Sequence, residues 1–295
     1  MRAIDPNLEA DLDAGATTLC RCWRLARVDG LVQGFTDHDA DIAFGGTQYR
    51  AATGFTASAI EASLGLNVDG LDVAGALADG SLTELELAKG FWDNAAVTIF
   101  LVDWRAPGRR TILFSGSIGE VSRSGTGFLA ELRSLAHALN QPMGRVYSRL
   151  CDANLGDARC GVDLDDPDWK ADGAVAEVRS LKRFTTSGLN GYPAGRFTRG
   201  RLVWTSGANA GAAMEVARHA KPGEIIIELF EDMPVTPAPG DAFTVTAGCD
   251  KTARTCRRVF GNVVNFRGFP DIPGNDWLLS PPSRQDRKRR RRRME

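Results

Sequence analysis

Four of the six cysteines fall into two pairs, Cys151 and Cys160 with eight residues between them, and Cys249 and Cys256 with six. Each pair sits in a stretch of small and polar residues that reads as loop, Cys151-Asp-Ala-Asn-Leu-Gly-Asp-Ala-Arg-Cys160 and Gly248-Cys-Asp-Lys-Thr-Ala-Arg-Thr-Cys256. Loops suit a ligand set, because donors must converge on one point from several directions, which a regular strand or helix rarely allows. Arg159, Lys251, Arg254, Arg257 and Arg258 crowd the same stretches. Positive charge beside thiolates is expected to lower their pKa and to offset the charge of a thiolate-ligated centre. Structural zinc favours tighter pairs, with about two to four residues between ligands, whereas iron–sulfur clusters accept cysteines from separate loops at varied spacing. The residues alone leave a cluster, a zinc ion and unligated buried thiols all open. Cys20 and Cys22, two positions apart in a strand-like segment, share one face and are expected to pack as small hydrophobes.

Other chemistry is sparse. Thr36-Asp37-His38-Asp39 with Asp41 gathers three carboxylates and an imidazole, a set that could hold a divalent ion or move protons. No second histidine or Glu-x-x-His helix accompanies it, so the expectation is a polar loop whose Asp and Thr side chains satisfy backbone amides. His137 and His219 read as structural. Gly207-Ala-Asn-Ala-Gly211 lacks the Gly-Lys-Ser/Thr of a phosphate loop, and no Gly-x-Ser-x-Gly elbow occurs. No catalytic residue is identified, and the chain is not expected to be an enzyme.

The elements that must position the cysteines are mostly strands. A short helix is predicted from Asp5 as N-cap and Pro6 at the first helical position, running out at Gly15. Strands follow over 17–28 and 31–36 around the Asp29-Gly30 turn, then over 42–44 and 47–50 around Gly45-Gly46. Further strands are predicted over 96–104, 110–114, 118–123 and 127–132. Thr83 with Glu86 forms a capping box before a short helix closed by Gly90. Residues 134–154 turn helical or irregular, with Leu135, Ala138 and Leu139 at helical spacing. Strands resume over 174–179, 196–205, 213–218, 224–229 and 242–247. Short strands at close spacing point to barrels or sandwiches. The predicted organisation is a β-barrel-type domain over 1–138, a second β domain carrying the four cysteines over 139–283, and a disordered basic tail over 284–295.

With 295 residues, 43% hydrophobic and 25% charged, the composition is that of a folded globular chain of about two domains. No run approaches the roughly 20 apolar residues of a membrane span, and no secretory signal opens the chain, so it is expected to stay in the cytosol, where disulfides are disfavoured. The net charge of -1 hides an asymmetry: without the 8 basic and 2 acidic residues of 284–295, 28 bases face 35 acids, a net charge of -7. An acidic body has no general pull toward nucleic acid, which leaves the tail as the one candidate for contact with DNA.

Gly248-Cys-Asp-Lys-Thr-Ala-Arg-Thr-Cys-Arg-Arg-Val-Phe-Gly-Asn-Val-Val-Asn-Phe-Arg-Gly-Phe-Pro270, with Pro273-Gly274-Asn-Asp276, resembles the C-terminal signature of phage tail-tip proteins. Leu155-Gly-Asp-Ala-Arg-Cys-Gly-Val-Asp-Leu164 resembles its companion segment, and Gly34-Phe-Thr-Asp-His-Asp39 with Thr53-Gly-Phe55 the N-terminal part. The chain is thereby similar to the baseplate hub proteins of phages, prophages and gene transfer agents, and to the minor tail proteins L of lambda-like phages, which carry an iron–sulfur cluster on four cysteines. The resemblance implies a mainly β (α+β) fold of two β-barrel-like tail-hub domains. It also implies a cluster, 4Fe-4S foremost, on Cys151, Cys160, Cys249 and Cys256. It implies a homotrimer forming a ring at the tail tip, assembled in the cytoplasm into the tail baseplate of a virion-like particle. The implied partners are a distal tail protein and tail-tip or central fibre proteins, with transient contact with exiting DNA. The contrasting expectation is a soluble iron–sulfur or zinc redox protein or metalloenzyme on the same four thiols.

Overall fold

The computed structural model describes residues 6–13, 15, 18–51, 56–57, 70–76, 83–124 and 127–272. The predicted cap Asp5, the segment Thr53–Phe55, and everything from Pro273 through the basic tail lie outside the described residues. The chain divides into two compact units, Met1–Met143 and Gly144–Glu295.

The first unit begins with helix α1 (Pro6–Asp13) and continues as strands β1 (Leu19–Ala26), β2 (Val32–Thr36), β3 (Ile42–Phe44), β4 (Thr47–Ala51), β5 (Thr56–Ala57) and β6 (Gly70–Ala76). Helix α2 (Glu84–Ala88) follows, then β7 (Ala96–Asp103), β8 (Arg110–Ser124), β9 (Gly127–Ser134) and helix α3 (Leu135–Leu139). The strands form one sheet in the order β3-β4-β2-β1-β7-β8-β9-β6-β5. Gly30 at φ 93° and the glycines Gly45 and Gly46 at 58° and 74° supply the left-handed residues that two tight turns need. Thr83 caps α2 with the reciprocal Glu86 bond of a capping box. The segment 110–123, which reads as two strands, is the single strand β8. Gly116 is no breaker there: a Cβ on it would lie 2.1 Å from the Arg133 carbonyl oxygen, so glycine permits a close approach within the sheet. β1 is buried on both faces. Trp23 and Leu25 join Phe35, Trp92, Ile99 and Leu132 on one side, while Cys20 and Cys22 pack with Ile42, Tyr49 and Val102 on the other.

The second unit contains β10 (Lys170–Val178), β11 (Arg183–Ser187), β12 (Arg201–Trp204), β13 (Ala213–Ala220), β14 (Ile226–Leu229) and β15 (Ala242–Thr246). These close into a six-stranded antiparallel barrel in the order β10-β11-β14-β13-β12-β15, the closing pairs running from Lys170 opposite Thr246 to Ala174 opposite Ala242. A barrel this small is filled by its own side chains. Phe184, Trp204 and Phe243 meet at its centre with ring centroids 5.4 to 5.8 Å apart, surrounded by Leu202, Val216, Ile227 and Val245. Full burial of such side chains contributes roughly 1.5–3 kcal/mol each. The chain then continues into helix α4 (Ala253–Arg258) and a short 3-10 helix, Val263–Asn265. The fold is mainly β, with Cys151, Cys160, Cys249 and Cys256 in the segments by which the chain enters and leaves the barrel.

Candidate metal centre

One carboxylate folds the first cysteine loop. Asp157 accepts the backbone N–H groups of Asn154, Arg159 and Cys160 at 2.9, 2.9 and 2.7 Å. The Cys160 amide is the largest of the effects that hold this carboxyl below its ordinary range. Gly161 then turns the chain at φ 70°.

The second loop leaves β15 under direct constraint from the barrel. Gly248 donates its N–H to the Arg196 carbonyl at 3.0 Å, and a Cβ on it would lie 1.8 Å from the carbonyl oxygen of Thr198. Two residues after Cys249, Lys251 adopts φ 62°, a left-handed conformation that costs a long side chain about 1 kcal/mol or more. Its atoms are all employed: the N–H donates to Cys249 Sγ at 3.4 Å, the carbonyl accepts the Cys151 N–H at 2.8 Å, and Nζ donates to the Ala153 carbonyl at 2.6 Å. Lys251 therefore splices one cysteine loop to the other. Asp250 accepts the hydroxyls of Thr252 and Thr255, and Thr252 caps α4, the helix that carries Cys256. This helix departs from the loop expected for the whole stretch.

The segment after α4 completes the site. Asn262 donates through Nδ2 to the Cys160 carbonyl and lies 3.7 Å from Cys160 Sγ, while its carbonyl accepts the Cys256 thiol at 3.2 Å. The Arg267 N–H donates to Cys151 Sγ at 3.4 Å. Trp169, its ring tilted at 45° to that of Phe260 with centroids 4.7 Å apart and covered by Arg196 at 4.7 Å, fixes this segment against the barrel. Lys251's backbone role, Asn262 and Arg267 could not be told from the sequence pattern. A left-handed lysine leaves no mark in the sequence, and an asparagine after Gly261 reads only as a turn.

Cys151, Cys160, Cys249 and Cys256 line one small cavity of about 20 Å³, walled by Leu155, Val162, Phe260 and Phe266. Among the described residues, no three His, Cys, Asp or Glu groups are arranged to hold one metal ion. The four thiols share one cavity, and the N–H groups at Cys249, Cys151 and Cys160 are the kind of donors that surround ligated sulfurs. Four thiols, N–H donors and apolar walls are a donor set of the kind that a thiolate-ligated centre uses.

The expected lowering of thiol pKa does not occur at the two thiols whose shifts are resolved. Burial pushes Cys249 up, against the opposing Lys251 amide and ammonium, and burial also raises Cys256, with the other three thiols adding to it. The arginines explain the difference. Arg159 pairs with Asp152 at 3.1 Å, while Arg254, Arg257 and Arg258 are exposed on α4.

The remaining candidates are occupied by structure. Asp37 accepts the Arg21 N–H at 2.6 Å, Asp41 accepts the Ala51 N–H at 2.8 Å, and His38 Nδ1 accepts the Ala40 N–H at 3.0 Å. His137 meets Gln141 at 2.9 Å. His219 is buried in the barrel against Phe197, and burial lowers its pKa to about 4.

Residues 5–163 match the family model of the baseplate hub protein, N-terminal attachment domain, and residues 195–276 match that of the phage conserved hypothetical protein BR0599. Among solved structures, a chain from the virion of a native gene transfer agent (GTA) particle is 42% identical, with a TM-score of 0.84 over 95% of this chain and 97% of that one. No curated protein matches the chain. No helix among the described residues is long and apolar enough to cross a membrane.

Proposed function

The chain belongs to the family of phage baseplate hub proteins, and from that premise we propose that it is a structural subunit of a phage-like tail, a ring at the tail tip whose second unit is stapled by an iron–sulfur cluster on Cys151, Cys160, Cys249 and Cys256. The observation that carries the staple is the shared chamber: four sulfurs from segments separated by 88 residues between Cys160 and Cys249 face one cavity, with N–H donors aimed at them. When bound there, the group supplies permanent bonds between the segment that enters the barrel and the segment that leaves it. Binding energy at such a site is folding energy. This chain's own residues do the rest: Asp157 and Asp250 shape the two loops, Lys251 and Asn262 hold them in register, and Phe260 and Phe266 exclude water.

A structural subunit in place of an enzyme agrees with the filled barrel and with carboxylates and histidines committed to backbone and packing. Homotrimers that contact a distal tail protein and central fibre proteins are the assembly we propose. Electron microscopy of particles labelled with an antibody to this chain tests the placement. Label at the tail tip, in a ring, is the expected result; label on the head or along the tail shaft overturns it.

A further inference from the structure

Cys151, Cys160, Cys249 and Cys256 are all half-buried, so exposure does not distinguish them. Their hydrogen-bond surroundings do. The Lys251 N–H donates to Cys249 Sγ and the Arg267 N–H to Cys151 Sγ, each at 3.4 Å, and Asn262 Nδ2 lies 3.7 Å from Cys160 Sγ. Among the described residues none donates to the sulfur of Cys256, and its thiol is itself the donor, to the Asn262 carbonyl at 3.2 Å.

That carbonyl oxygen is held in place. It also accepts the Asn265 N–H at 3.0 Å, while the Asn262 N–H donates to the Cys256 carbonyl at 3.0 Å, so backbone bonds fix the residue from both sides. Helix α4 offers the sulfur no donor either, because the Cys256 N–H is committed to the Thr252 carbonyl at 3.0 Å. An N–H aimed at a thiolate stabilises it, and a carbonyl oxygen at hydrogen-bond distance repels it. Ligation therefore strengthens the contacts at Cys151, Cys160 and Cys249. At Cys256 it removes the one hydrogen bond the sulfur makes and leaves an oxygen facing it.

We propose that Cys256 is the releasable corner of the centre, the ligand whose iron leaves first, with Cys151, Cys160 and Cys249 retaining the rest. The inference deepens the iron–sulfur reading and rests on it. Supporting donors around a ligand are worth about 10–100-fold in metal affinity, so iron at Cys256 should be lost at least about tenfold more readily than iron at the other three corners. In that step the oxidised 4Fe-4S core gives up one ferrous ion and one electron to become a 3Fe-4S core. A one-electron oxidant such as ferricyanide accepts the electron, and the freed Cys256 thiolate takes a proton from water.

The test treats wild-type protein, purified without oxygen, with ferricyanide until about one iron per chain has been released. Iodoacetamide then labels freed thiols, forming an S–C bond as iodide leaves, and peptide mass spectrometry locates the label. Label on Cys256 about tenfold above that on any of the other three is the expected result. Label first on Cys151, Cys160 or Cys249, or equal label on all four, would overturn the assignment without any substitution having been made. In a second arm, Cys256→Ala should keep about three iron per chain, with the paramagnetic resonance of a three-iron cluster, where Cys151→Ala, Cys160→Ala and Cys249→Ala each keep less than about one. A folded Cys256→Ala protein as poor in iron as the other three variants would also overturn it. Wild-type protein that contains no iron would remove the iron–sulfur reading, and this inference with it.

Discussion

Gly248→Ala should destabilise the second unit by about 2–3 kcal/mol. The added Cβ would lie 1.8 Å from the Thr198 carbonyl oxygen and 2.5 Å from backbone atoms of Arg199 and Gly200. Those atoms cannot rotate aside, and the 198–200 segment is itself held by the Arg199 N–H on Val216 at 2.7 Å and the Gly200 N–H on Phe197 at 2.9 Å. Overpacking of this kind costs about 1–3 kcal/mol. Moving β15 away also breaks the Gly248 N–H bond to Arg196, worth about 1 kcal/mol. Replacing a glycine restricts the unfolded chain and returns about 0.4–1 kcal/mol. Urea unfolding followed by tryptophan fluorescence reads the difference as a midpoint lowered by roughly 1 M at unchanged slope. Gly223→Ala is the control, since Gly223 has φ 115° but open space around its Cβ position, so it carries backbone strain without collision. Gly200→Ala with Gly248→Ala should cost less than the sum of the two, because one displacement relieves both contacts. A Gly248→Ala protein within about 0.5 kcal/mol of wild type would refute the idea that a backbone crossing anchors the cysteine loop.

Three further outcomes follow from particular contacts. Burial lowers His219 from 6.5 to about 4, so the unfolded chain takes up the proton first: the stability contributed by the neutral ring is complete above pH 6.5 and is lost as pH falls from 6.5 toward 4. His219→Phe should flatten that part of a stability-versus-pH curve, a change of about 3 kcal/mol at most. Thr83→Ala removes the capping box of α2 and should cost about 1 kcal/mol in chemical unfolding. Asn262→Ala cuts the tie to the Cys160 carbonyl and should make the thiols of Cys151, Cys160, Cys249 and Cys256 react faster with a disulfide reagent in the metal-free protein, with the barrel's circular dichroism unchanged.

Much of the fold could be read in residues whose chemistry is local. Asp29-Gly30, Gly45-Gly46 and the Thr83/Glu86 box act within four or five residues, and each stands where the sequence predicts. The misreadings come from residues whose reason lies elsewhere in the chain. The gap predicted between 114 and 118 is continuous strand, in which Gly116 makes a close approach to Arg133 across the sheet. β11, Arg183–Ser187, was invisible because Lys182, Arg183 and two threonines read as loop; in the barrel Thr186 is buried, and its hydroxyl donates to the Ala174 carbonyl at 2.8 Å. The strand predicted over 196–205 shortens to 201–204, because the chain must turn at left-handed Arg199 to pass Gly248. At the candidate centre the cysteine types and spacing were legible, but their mutual placement depends on Lys251, Asn262 and Arg267, which act through backbone geometry and single hydrogen bonds.

The central claim is that the four thiols of the second unit hold an iron–sulfur cluster within a tail hub. Protein purified without oxygen and assayed for iron, zinc and acid-labile sulfide tests it most directly. About four iron and four sulfide per chain are expected for a 4Fe-4S centre, lost together in Cys249→Ser. Zinc in their place, or no metal with Cys151, Cys160, Cys249 and Cys256 all titrating as free thiols, would contradict it.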